Sequence, residues 1–110
     1  MEHSKFTKEL EGLSEDKVRK YLEEKVKDLP IQVIELAVRE IKKIADDKFL
    51  ASVIVSKLEL KNRWFLPFHF AFGKRFRMML NDLVLRSEDL PEKSWEFYYV
   101  QLIEMALGLW

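Results

Sequence analysis

The chain of 110 residues contains no cysteine, three glycines, three prolines and two histidines. Without cysteine there is no disulfide framework, thiolate metal site, iron–sulfur cluster or thiol nucleophile. Gly12, Gly73 and Gly108 lie too far apart to build a phosphate-cradling loop, and no nucleophile elbow is possible. His3 and His69 are distant in sequence, and no His-Glu-x-x-His or Glu-x-x-His pair accompanies them, so neither a metal site nor a cofactor is expected. Long apolar runs are also missing, the longest being far below the roughly 20 residues that span a bilayer. Met1 to Lys20 mixes charges without the apolar stretch of a secretory signal. These absences lead to the expectation of a cytoplasmic protein with no membrane segment.

Net charge is absent too. Nineteen Lys and Arg balance nineteen Asp and Glu, so no whole-molecule field attracts nucleic acid or an anionic membrane, and any such binding must be local.

What is present is a well-supplied core. The chain is 48% apolar and carries 14 aromatic residues, enough for a single domain over residues 1–110 that folds without staples. Thirteen Lys and thirteen Glu stand against two Asn and two Gln, a bias found in proteins from hot environments.

Apolar spacing predicts an all-α fold, a compact bundle of four to five helices. Ser14, followed by Glu15 and Asp16, is an N-cap with acids in the first turn, and Val18, Leu22, Val26 and Leu29 recur at helical spacing up to Pro30. Pro30 suits the first turn of a second helix running to about Asp46, with Ile34, Val38 and Ile41 on its stripe. Leu50 to Val55 is a short apolar run that periodicity cannot assign; with no flanking glycine and no second strand-like run to pair with, residues 49–60 are read as helix. Pro67 is expected to open a helix to about Leu85 with Phe68, Phe72, Phe76, Met79, Leu80 and Leu83 inward. A last helix over about 91–107 places Trp95, Tyr98, Tyr99, Leu102, Ile103 and Ala106 inward and stops at Gly108. Ser4 to Leu10 forms a short extra helix.

Charge is uneven along the chain. Residues 57–77 hold Lys57, Lys61, Arg63, Lys74, Arg75 and Arg77 against Glu59 alone, whereas the remainder to residue 110 is acidic. Six aromatic residues interleave with these cations, from Trp64 to Phe76, the pattern of a cationic groove with stacking platforms for single-stranded nucleic acid. The structural alternative is a core helix whose cations pair with the acidic C-terminal segment. A pI near 6.7 and the helical spacing of the phenylalanines favour that alternative.

His69, Gly73 and Arg77 follow one another at four-residue intervals, which on one helix face would set His69 and Arg77 about 12 Å apart around a notch. The notch could receive a carboxylate or phosphate, with Arg77 as bidentate donor and His69 as second donor or acid/base. Alternatively Gly73 marks a close helix crossing, Arg77 pairs with Glu96 or Glu104, and His69 bonds to nearby chain. The stretch Phe68-His69-Phe70-Ala71-Phe72-Gly73-Lys74-Arg75-Phe76-Arg77 resembles the H-x-x-x-G-x-x-x-R core of a small microbial domain family of unknown function. That family's pattern continues with Asn, where this chain has Met78. Further on it has a proline, two acids and a serine, to which Pro91-Glu92-Lys93-Ser94 is similar except that Lys93 replaces an acid. The resemblance implies no activity.

Finally, Trp64, Phe65, Phe68, Phe70 and Phe72 crowd one segment, and Trp95, Phe97, Tyr98, Tyr99 and Trp110 crowd the C-terminus, more aromatic surface than a small bundle readily covers. The sequence therefore points to a non-catalytic interaction module that forms a homodimer through these aromatic faces or binds another protein. Binding of nucleic acid or an anionic ligand through Lys61, Arg63, Lys74, Arg75 and Arg77 is the alternative.

Overall fold

A computed structural model describes residues 5–109. Among them there is no strand, and six α-helices appear: α1 (Lys5–Leu10), α2 (Glu15–Lys27), α3 (Ile31–Ile44), α4 (Asp47–Leu60), α5 (Phe72–Leu83) and α6 (Tyr99–Leu107). The all-α class agrees with the sequence, with a helix count slightly above the expected four to five. No helix among the described residues is long and apolar enough to cross a membrane.

The first half follows local rules. Ser14 caps α2 by accepting the Lys17 N–H, and Val18, Leu22 and Val26 are its buried stripe. Pro30 lies just outside α3, its carbonyl receiving the N–H groups of Val33 and Ile34. The Asp46 side chain accepts the Phe49 N–H at 2.8 Å and so starts α4, which ends α3 at Ile44 rather than Asp46. Residues 49–60 are helical, as the sequence suggested.

Lys61 then terminates α4 with a positive φ of 54°. A 3₁₀ turn, Lys61–Arg63, folds back onto the start of α2. There Glu15 accepts from the Asn62 backbone N–H and from Arg63, while the Arg63 guanidinium also donates to the carbonyls of Leu10 and Leu13.

Two expected helices are shorter than the periodicity implied. Pro67 sits in a separate 3₁₀ turn, Leu66–Phe68, and α5 begins only at Phe72. A continuous helix would scatter the bulky groups of residues 64–72 around its circumference; the break turns Trp64, Phe65 and His69 inward instead. The buried line of α5 is consequently Gly73, Phe76 and Leu80, while Phe72 and Leu83 face outward. Likewise Pro91 precedes no helix. Ser94 caps a 3₁₀ turn, Trp95–Phe97, before α6, and the break buries Trp95, Phe97, Tyr98 and Tyr99 together.

Helix α6 is the centre of the molecule. Every residue from Tyr99 to Glu104 is buried, and its principal neighbour is α3. Its end is sealed by Gly108 at φ 71°, with the Leu109 N–H bonding the Glu104 carbonyl, the Schellman arrangement that favours glycine. Glu104 is a carboxylate inside this core, receiving the Trp64 indole N–H at 3.0 Å and pairing with Lys57.

Candidate functional site

The break before α5 changes the geometry of the His69–Gly73–Arg77 motif. These residues do not share one helix face with ends about 12 Å apart, because His69 precedes α5 and folds over its first turn. Arg77 Nη1 donates to the His69 carbonyl at 3.0 Å and lies 3.3 Å from His69 Nδ1. The two residues therefore meet at a single point.

His69 is only 1% exposed, ringed by Phe6, Phe65, Phe70 and Tyr99. Its Nδ1 is 2.6 Å from the Tyr99 hydroxyl, and its Nε2 is 3.3 Å from Glu96 Oε1. Burial holds the Tyr99 phenol far above its ordinary ionisation range, so the hydroxyl keeps its proton. The Arg77 guanidinium, which can only donate, lies against the same Nδ1, so this nitrogen is the acceptor and the hydroxyl donates to it. The imidazole is thereby assigned its proton on Nε2, facing Glu96. Arg77 lies over the Tyr99 ring, its guanidinium carbon 5.1 Å from the centroid, a cation–π contact.

Gly73 explains itself in this arrangement. A β-carbon there would stand 2.9 Å from the Tyr99 hydroxyl and 3.1 Å from both Arg77 Nη1 and the Phe68 carbonyl oxygen. Glycine near the start of α5 is what admits the tyrosine and arginine to the histidine. Arg77 pairs with neither acid as the sequence proposed: Glu96 faces His69, and Glu104 belongs to Lys57 and Trp64. Tyr99 is the member that sequence reasoning missed in this role, and Gly73 was its only trace.

Beside this cluster lies a cavity of about 280 Å³, walled by Lys74, Arg77 and Asn81 of α5 and by Ser87, Ser94 and Trp95 across from them. The Pro-Glu-Lys-Ser turn and the His-Gly-Arg segment, separate in sequence, converge here. Asn81, Asp82 and Ser87 also border a larger cleft of about 810 Å³ whose further lining includes Arg86, Glu88 and Asp89.

The rest of the basic segment disperses. Arg63 is engaged by Glu15 and two carbonyls, and Lys57 by Glu104, leaving Lys61 exposed at the end of α4 and Lys74 and Arg75 exposed on α5. The aromatic interface candidates divide as well. Trp64, Phe65, Trp95 and Tyr98 are core residues and offer no surface, Phe68 is half-buried, Phe72 is 43% exposed, and Trp110 lies outside the described residues. Helix α6, expected to share an interface, is enclosed.

Exposed apolar surface is found instead on α4. Besides its core-facing Val53 and Phe49, this helix presents Ala51, Ile54, Val55 and Leu58 outward, with Leu58 79% exposed. A groove of about 460 Å³ joins Val55 and Leu60 to Pro67 and Phe68, and the Phe72 ring lies 6.0 Å from that of Phe68. Compared with family models, curated proteins and solved structures, the chain matches none. The resemblance of residues 68–77 rests on those residues alone.

Proposed function

We propose that this protein is an interaction module that pairs with a second copy of itself through the outward face of α4. The observation that carries the reading is that α4 bears apolar residues on its outward side, Ile54, Val55 and Leu58, as well as on the side that packs on the core. An ordinary surface helix turns its polar residues to solvent, whereas here a row of apolar ones is left uncovered. On that side Ile54, Val55 and Leu58 are 41%, 57% and 79% exposed, and Leu60 borders the groove beside it, a run of uncovered apolar side chains of the kind that marks interfaces.

The helix is also complementary to itself. Laid antiparallel on a copy about a twofold axis at Ile54 and Val55, Ala51 of one chain faces Leu58 of the other, small against large. On one edge Lys48 meets Glu59, and on the other Asp47 meets Lys61. None of these four exposed charges forms an ion pair within its own chain among the described residues. A zero net charge opposes no such pairing, and the symmetric contact closes on itself as an isologous dimer does.

This reading keeps self-association and moves its location from the aromatic segment 64–76 and the C-terminal helix to α4. Sedimentation equilibrium of the wild type against Leu58→Glu tests it. The expected result is twice the 13.2 kDa chain mass for the wild type and the single mass for a variant with unchanged circular dichroism. A wild type that stays monomeric at high micromolar concentration contradicts it.

A further inference from the structure

A second feature, independent of α4, is the cavity between α5 and the 94–95 turn. Lys74 and Arg77 stand one helical turn apart on its wall, and among the described residues neither is paired with a carboxylate. Arg77 is half-buried, fixed through Nη1 to the His69 carbonyl and backed by the Tyr99 ring. Its guanidinium is thus held in place while its charge is offset only by a carbonyl dipole and a ring face. Ser94 Oγ accepts the Glu96 N–H at 3.2 Å, which leaves its own proton to donate. The cavity thus opposes two cations with a serine hydroxyl, a donor set for an anion with several acceptor oxygens and more than one negative charge. A phosphate monoester, at −1.5 to −2, meets that description better than a carboxylate.

The turn that delivers Ser94 is strained. Lys93 has a φ of 62°, in the left-handed region that a non-glycine residue seldom adopts. Asp82 closes the other end of the cavity, and beyond it the larger cleft carries Asp89 as well as Glu88, the latter 3.5 Å from Arg86. Carboxylates there repel a second phosphate and accept hydrogen bonds from hydroxyl groups.

We infer that this cavity binds the phosphate of a hydroxylated phosphate monoester, of the sugar-phosphate class, with Lys74, Arg77 and Ser94 on the phosphate and the Asp82 end of the cleft on the carrier's hydroxyls. Gly73, Tyr99 and His69 then act as positioning residues that hold Arg77 at the cavity wall.

Amide-resolved NMR titration with ribose 5-phosphate, inorganic phosphate and ribose tests this. Ribose 5-phosphate is expected to shift Ser94, the Trp95 indole N–H and the Arg77 side chain saturably. Inorganic phosphate should do so at several-fold higher concentration, and ribose should not. Lys74 is exposed, so Lys74→Glu should leave the fold intact and weaken ribose 5-phosphate binding at least tenfold, whereas Lys20→Glu on the outside of α2 should not change it. Shifts spread over surface lysines, equal binding by Lys74→Glu, or shifts produced equally by ribose would overturn the assignment. Equal affinity for ribose 5-phosphate and inorganic phosphate would overturn the role of the Asp82 end.

Discussion

The Tyr99 hydroxyl and His69 Nδ1, 2.6 Å apart, join the central helix to the segment that precedes α5. Both groups are buried, and removing the histidine would leave the Tyr99 hydroxyl without this partner, at a cost of about 1–3 kcal/mol for an unsatisfied polar group. This contact, with Arg77 on the same nitrogen and on the His69 carbonyl, brings a histidine and an arginine eight positions apart to one point.

Gly73→Ala should test how tightly that point is built. The added methyl must displace the Tyr99 hydroxyl or Arg77, and overpacking of this kind costs about 1–3 kcal/mol. In a Tyr99→Phe background the closest of these contacts is gone, so the alanine should cost less. Denaturant melts of the two single variants and the double variant give the coupling, and strictly additive effects would show that the hydroxyl is not what excludes a side chain from position 73.

The pH dependence follows from the tyrosines. All three, Tyr21, Tyr98 and Tyr99, ionise above the ordinary phenol range, with burial as the leading cause; Tyr21 is raised further by its bond to Glu9. A folded-state value above the unfolded one gives stability that is full below pH 10 and declines as pH rises beyond it, because the unfolded chain then releases protons that the native state retains. Absorbance at about 295 nm, where tyrosinate absorbs, should stay flat through the ordinary phenol range and rise together with the loss of helical circular dichroism. A tyrosinate signal that grows near pH 10 in the folded protein would contradict the buried environments.

Glu104 is the most exacting charge in the core. Its partners, Lys57 and the Trp64 indole, hold α4 and the segment after it against α6, and removing one member of a buried pair typically costs about 3–5 kcal/mol. Because Lys57 retains some solvent access, Glu104→Ala should fall near the lower end, at about 3 kcal/mol in thermal or urea unfolding. A loss under about 1 kcal/mol would mean that the pair contributes no more than a surface one.

Lys61 presents the reverse case. With φ 54° and ψ −123° it occupies a region suited to glycine, and relief of the strain by Lys61→Gly should raise stability by about 1 kcal/mol, measured as a higher melting midpoint. A lower midpoint would contradict the strained conformation.

Much of the fold was legible where local chemistry decides it. Ser14, Asp46 and Gly108 act at helix ends through their own side chain or backbone freedom, and α4 could be read as helix because nothing strand-like existed to pair with it. The breaks at residues 64–71 and 91–98 were not legible. Both satisfy a packing demand, the simultaneous burial of successive aromatics against α6, which helical period alone cannot express. The site was half visible for the same reason: the four-residue spacing singled out His69, Gly73 and Arg77, while their true relation depends on a chain reversal and on Tyr99, thirty positions from the histidine. The outward apolar side of α4 was hidden inside an apolar run, Leu50 to Val55, whose period does not separate a covered face from an open one.

The pairing of α4 with its copy is tested most directly by a charge-swap cycle, since Lys48 and Glu59 are too far apart on one helix to touch and can meet only across two chains. Light scattering over a dilution series should show Lys48→Glu and Glu59→Lys each dissociating several-fold more readily than the wild type, as reversal of a rim pair repeated by symmetry requires. The double variant should recover the wild-type midpoint. Three variants with the same mass profile as the wild type, or a double variant weaker than either single one, would contradict the antiparallel α4 dimer.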